Sequence, residues 1–216
     1  MRLLPIASAF LLVAVGALSL PAAEFSITLA EKSAAPVADA VISLHPLDQP
    51  APPAAADTPE LVIAQINGEF TPLVSAVRAG TRVSFPNRDR VQHQVYSLSP
   101  AKRFEIPLHG GEQAAAELFD KPGLVAIGCN IHDWMRAYVL VLDTPWFAVS
   151  PAEGTVRLSA PAGRYRLEIW HHRMAQMDTR EVVLAEAAPL AELATLALRR
   201  DRRPPRAINS DAAGYR

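Results

Sequence analysis

The strongest constraint on the fold of this chain is how short its apolar runs are. Beyond the N-terminal segment they are five to seven residues long, β-branched or alternating in polarity. They comprise Phe25–Leu29, Ala38–Leu44, Leu61–Ile66, Thr81–Phe85, His93–Leu98, Leu124–Gly128, Arg136–Leu142, Thr155–Ala160, Tyr165–Trp170, Arg180–Ala185 and Leu193–Leu198. Turn formers close them: Asn67-Gly68, Ala79-Gly80, Pro86-Asn87, His109-Gly110-Gly111, Lys121-Pro122-Gly123 and Pro161-Ala162-Gly163. Such runs are too short for helices that stand alone, and a two-residue period suits strands. The spacing predicts an all-β chain of sandwich architecture. Gly111–Leu118 holds good helix formers, but too few; it reads as a loop, with at most one helical turn, feeding a strand.

The two ends differ from the middle. Arg2 precedes an uncharged stretch, Leu3–Leu20, which meets the small residues Pro21-Ala22-Ala23 just before Glu24. A positive start, an apolar centre and a small-residue cleavage point read as a signal peptide over residues 1–23; the alternative is a retained membrane anchor, for which Pro5 and the Ala, Ser and Gly content suit the stretch poorly. The mature chain is then periplasmic or secreted, with no stable membrane insertion. What remains, about 190 residues, suits one or two domains. Pro50–Pro59 is Pro/Ala-rich and reads as a linker, and Thr144-Pro145 is a second boundary. Residues 199–216 carry six Arg and two Asp with little to bury, and read as a disordered basic tail. Residues 24–198 carry 14 Lys and Arg against 20 Asp and Glu. An acidic body with a basic tail is not the profile of a nucleic-acid-binding protein.

The chain has one cysteine, Cys129. In an oxidising compartment cysteines pair, so an unmatched one is buried and inert, paired between chains, or bound to something that protects its thiolate. Its neighbours decide. Cys129-Asn130-Ile131-His132-Asp133-Trp134-Met135 lies between two strand-like runs, as the tight loop of a hairpin. A type 1 copper site needs two imidazoles and a thiolate in a near-trigonal plane, with a weak axial thioether. Such a loop delivers three of the four, because its ends, Cys129 and Met135, lie close together and His132 sits between them. The fourth comes from another strand, as His93 in Val91–Tyr96. Thiolate with thioether selects copper over zinc, whose sites favour four strong ligands without Met. Taken alone, each residue has a plain reading: a small buried thiol, a structural His, a core Met. Together in one chain they read as metal ligands His93, Cys129, His132 and Met135.

Residues 59–145 therefore resemble a cupredoxin domain of the plastocyanin, azurin and amicyanin kind. The short Cys129-x-x-His132-x-x-Met135 spacing is that of amicyanin-like members. Val83–Asn87, Tyr96–Glu105 and Gly128–Met135 are similar to the bacterial methylamine utilisation or plastocyanin-like proteins. That resemblance implies a Greek-key β-sandwich, one type 1 copper ion and single-electron transfer. It also implies a redox partner such as a c-type cytochrome or a periplasmic dehydrogenase. Gln94 departs from the family, where Asn often follows the first His ligand and ties the ligand loops together. Pro36–Leu44, with Ala152–Leu158 and Pro161–Leu167, resembles a prealbumin-like or carboxypeptidase-regulatory-like β-sandwich. That second, smaller module takes residues 24–58 and 146–198, with the copper domain inserted between them; the alternative is an extended cupredoxin with extra strands.

Other candidates are weaker. His171-His172 follows Trp170, with Met174 and Met177 nearby. Neighbours on a strand point to opposite faces, so the pair does not easily chelate one ion. His45 and His109 show no ligand spacing. Trp134 either lies in an exposed docking patch or packs over the loop. Enzyme readings fare poorly: Cys129 and His132 lack an orienting third group. The chain also has no His-x-His pairs for a multicopper oxidase and no second Cys for a binuclear centre. A copper chaperone or storage protein, or a structural β-module with a vestigial site, are the alternatives to a carrier.

Overall fold

The computed structural model describes residues 22–55, 58–112 and 116–201. Most of the signal segment 1–23 and of the tail 199–216, and the middle of Gly111–Leu118, lie outside them. Among the described residues every regular element is a strand, and no helix is long and apolar enough to cross a membrane.

The strands gather around two apolar cores. A five-stranded sheet runs Val74–Arg78, Arg136–Leu142, Gly123–Gly128, His93–Ser99, Lys102–His109 in spatial order. It faces Ala116–Phe119, Thr81–Ser84 and Leu61–Val62, with the hairpin Ala64–Ile66/Glu69–Thr71 beside them. Phe70, Phe85, Val95, Phe119, Val125, Ile127 and Val139 fill the space between, and Cys129 and Met135 belong to the same cluster. Alternation produces this core: in Gly123–Gly128 the inward residues Val125 and Ile127 are buried, whereas Leu124 and Ala126 face out.

The second core is built from both sides of that segment. Ala22–Glu31 lies between Thr155–Pro161, antiparallel, and Leu190–Leu196, parallel. Val41–Pro46 pairs with Gly163–Trp170, placing Leu44 opposite Leu167 and Ile42 opposite Ile169. Phe25, Ile27, Leu29, Leu44, Tyr165 and Leu167 pack between these sheets. The two cores meet along the outer face of Arg136–Leu142, where Val41, Val74, Leu140 and Leu142 are buried against Phe147 and Trp170. Leu140, Val141 and Leu142 are consequently buried in succession, since both faces of the strand are covered.

Several strands differ from the sequence reading. Ala38–Leu44 becomes Val41–Pro46, because Asp39 adopts a positive φ of 59° and Ala40 N–H is taken by Ser150 Oγ at 2.9 Å. Leu193–Leu198 becomes Leu190–Leu196. Val74–Arg78 and Lys102–His109 are additional strands; the latter carries Pro107 and many charges, and is tolerated because it is an edge. The first strand begins at Ala22, inside the expected signal segment, and Ala23 is buried opposite Ala160.

Candidate metal centre

The loop carrying three of the expected ligands is closed by its own backbone. Gly123–Gly128 and Arg136–Leu142 pair up to Gly128 opposite Arg136. Cys129 N–H then donates to Met135 O at 3.3 Å, and Met135 N–H to His132 O at 3.0 Å. Cys129 and Met135 are thereby held at the hairpin mouth, buried in the core, with His132 half-buried between them. His93 opens the strand His93–Ser99, which joins the same sheet where Tyr96 pairs with Gly128. The Tyr96 ring lies over that glycine: a Cβ there would sit 3.1 Å from Tyr96 Cζ.

His93, Cys129 and His132 converge, with one donor atom from each lying within 4.8 Å of the others. His93 Nδ1 is 3.1 Å from His132 Nδ1, and Cys129 Sγ is 3.8 Å from the latter. Two imidazole nitrogens held about 2.0–2.1 Å from one ion at the trigonal angle sit about 3.5–3.6 Å apart, a few tenths of an ångström more than the distance seen here. Met135 is buried with Cys129 in the same cluster and supplies the only thioether of the loop. A His₂Cys set with one Met is the donor set that copper favours.

The protonation chemistry of the site suits a metal. Burial alone would raise the Cys129 thiol, but hydrogen bonds from His93 and from the Ile131 and Gln94 backbone N–H groups outweigh it and hold the thiol below its ordinary value. Burial would lower His93, yet its bonds to Cys129 and Asp89 hold it above the usual range. A thiol inclined to ionise beside two imidazoles is primed to exchange its proton for a cation.

Around the donors lies a polar layer that sequence reasoning missed. Asp89, 5 % exposed at its side chain, accepts from His93 Nε2–H at 2.9 Å. This fixes the tautomer so that Nδ1 faces the other donors. The same carboxylate accepts from Asn67 N–H and from Gly68 N–H, the latter at 2.8 Å. Gly68 O in turn accepts from Trp134 Nε1–H at 3.0 Å. Trp134 packs against the core and lies 4.9 Å from the His132 ring, centroid to centroid. It covers the loop, which decides between the two sequence readings. Asn87 braces the turn through Nδ2 bonds to Val91 O and His109 O at 2.8 and 2.7 Å. Gln94 ties no ligand loop through its side chain, which donates to Glu105 instead. Its backbone N–H, not its amide, meets the thiolate. A carboxylate four residues before a candidate His ligand was the available signal for Asp89.

The remaining histidines lie elsewhere. His171 and His172 follow the end of Gly163–Trp170 and sit in a turn, so their rings come within 4.2 Å instead of facing apart. His172 stacks on Tyr138. Arg136, Arg173, Arg199 and Arg200 line the recess beside it, surroundings that repel a cation. His45 is clamped by Asp143 at 2.9 Å and Glu168 at 3.2 Å. His109 Nε2 bonds Phe85 O at 3.0 Å.

No family model matches the chain, and no curated protein does. Solved structures similar to it include a nitrite reductase, amicyanin and a cupredoxin. One is a copper-containing nitrite reductase from Thermus scotoductus SA-01, at 22 % identity over 42 % of this chain, with a TM-score of 0.37. The chain spans about a quarter of that enzyme's length. Another is a methionine-to-alanine variant of amicyanin in its Cu(I) form, at 22 % identity over 47 % of this chain and 98 % of that one, TM-score 0.36. A purple cupredoxin from Nitrosopumilus maritimus is 23 % identical over 38 % of this chain and all of its own, TM-score 0.35. Each likeness takes in less than half of this chain.

Proposed function

We propose that this chain is an exported cupredoxin that carries single electrons on one copper ion held by His93, Cys129, His132 and Met135. The observation that carries this reading is the convergence of two imidazole nitrogens and a lone thiol within 4.8 Å, with His93 and Cys129 buried and His132 half-buried. Copper bound there would supply a one-electron couple.

The chain's own residues set the conditions for that couple. Cys129 N–H donates to Met135 O at the hairpin mouth and Met135 N–H to His132 O, while Asp89 bonds the His93 imidazole and Trp134 packs on that of His132. Donors held in this way move little when charge changes, which suits a relay. Ile131, 52 % exposed beside the half-buried His132, leaves an apolar approach to the site. The redox partner is a c-type cytochrome or a periplasmic dehydrogenase. Residues 24–58 and 146–198 form a prealbumin-like module flanking the copper domain, and residues 1–23 direct export.

Adding copper to the purified protein should give an intense thiolate-to-copper charge-transfer band that Cys129→Ser abolishes. The loaded protein should exchange electrons with a small cytochrome while keeping its metal. A colourless protein, or a Cys129→Ser variant that keeps the colour, refutes the site. Rapid surrender of Cu(I) to a modest chelator, with slow electron exchange, would assign copper delivery instead.

A further inference from the structure

We propose that an arginine-lined recess beside the metal end docks an acidic face of the redox partner; this rests on the carrier reading above. The recess encloses about 220 Å³ between Arg136, Tyr138, His172, Arg173, Arg199 and Arg200, and Asp201 is the one carboxylate in its lining. Among the described residues Arg136, Arg199 and Arg200 make no ion pair, and Arg173 reaches Glu31 at 3.4 Å. The charge is therefore largely uncompensated, in a body that is otherwise acidic.

The cluster is built by the fold. Arg173 Nε–H donates to Arg199 O at 2.6 Å, and Arg199 N–H to Arg173 O at 2.9 Å. This clamp brings Arg199 and Arg200 across the turn after Gly163–Trp170, against the strand that starts at Arg136. Tyr138, stacked on His172 with centroids 5.4 Å apart, forms a rigid wall.

Its position matters as much as its charge. Arg136 follows Met135 directly and pairs across the sheet with Gly128, the residue before Cys129. A partner whose carboxylates enter the recess is thus seated beside the hairpin that presents the donors. Charge complementarity of this kind acts mainly on encounter rate and orientation. Without the cluster, the acidic body would repel an acidic partner.

The test measures electron transfer from a reduced acidic c-type cytochrome and from a basic one to the full copper-loaded chain, across ionic strength. The acidic cytochrome should react faster at low salt and slow as salt rises. The double variant Arg199→Glu/Arg200→Glu should cut its rate by roughly tenfold or more at low salt and speed the basic one. Hydroquinone, which needs no docking, and the visible spectrum report on the metal centre in the same samples. A protein with no charge-transfer band and no reduction by hydroquinone removes the carrier reading itself. Normal hydroquinone reduction, with an acidic-cytochrome rate unmoved by charge reversal, overturns the docking surface alone. Inhibition by phosphate well beyond that of chloride at equal ionic strength also overturns it, in favour of a pocket for a small free anion.

Discussion

Replacing Asp89 by Asn should weaken copper binding without unfolding the protein. The carboxylate is nearly buried and receives bonds from His93 Nε2–H at 2.9 Å, Gly68 N–H at 2.8 Å and Asn67 N–H. An amide offers one oxygen where the carboxylate offers two, and it turns an NH₂ group toward donors. Either His93 or the 67–68 turn then loses its acceptor. Losing an outer partner of a ligating His costs about 10–100-fold in metal affinity, or about 1.4–2.7 kcal/mol. Asp89→Ala should cost more, because Gly68, which anchors Trp134, loses its tether as well. The assay is competition for copper with a chelator at pH 8. The series is repeated at rising pH, because Asp89 also raises the proton affinity of His93 and that competing effect fades as protons become scarce. An Asp89→Asn affinity within twofold of the parent, with an unshifted charge-transfer band, would show that Asp89 does not position His93.

Two further outcomes follow from the second core. Gly154 has φ +74°, and a Cβ there would lie 2.5 Å from Leu29 O and 3.0 Å from Val37 N. Gly154→Ala should cost about 2–4 kcal/mol, read as a lower urea midpoint at unchanged slope; an unchanged midpoint refutes the clash. His171 is buried, and its pKa is lowered to about 4 by burial, then by His172 and Arg173, with Asp201 opposing. A depressed histidine favours the folded state above its unfolded pKa near 6.5, and that stability fades as pH falls toward about 4. The difference is worth roughly 3 kcal/mol, and His171→Asn, compared with the parent in urea titrations at pH 7 and pH 4, should remove it. Parallel pH dependences in the two proteins would refute it.

The convergence of His93, Cys129 and His132 is legible in the sequence because two of the three lie three positions apart in one hairpin loop, and the strands around them alternate cleanly. Asp89 is not legible. In sequence it sits in Asn87-Arg88-Asp89-Arg90, a stretch that reads as turn chemistry, and only the fold brings it beneath a histidine. Lys102–His109 is obscured by Pro107 and its charges, which an edge strand accepts and a central one does not. His171-His172 misleads because alternation is a rule for strands, and the strand stops at Trp170. What escapes the sequence depends on contacts distant along the chain, such as Gly68 with Trp134.

Arg136–Leu142 is where these features join. Its inward residues Ala137, Val139 and Val141 belong to the core that holds Cys129 and Met135. Its outward residues Leu140 and Leu142 are buried against the other sandwich, with Tyr138 packed beside them. A strand gripped on both faces cannot shift one end without disturbing both cores, because close-packed interiors resist small displacements. The donor before its first residue and the arginine at that residue are therefore fixed relative to each other. A partner held by the recess would meet the metal end in one orientation.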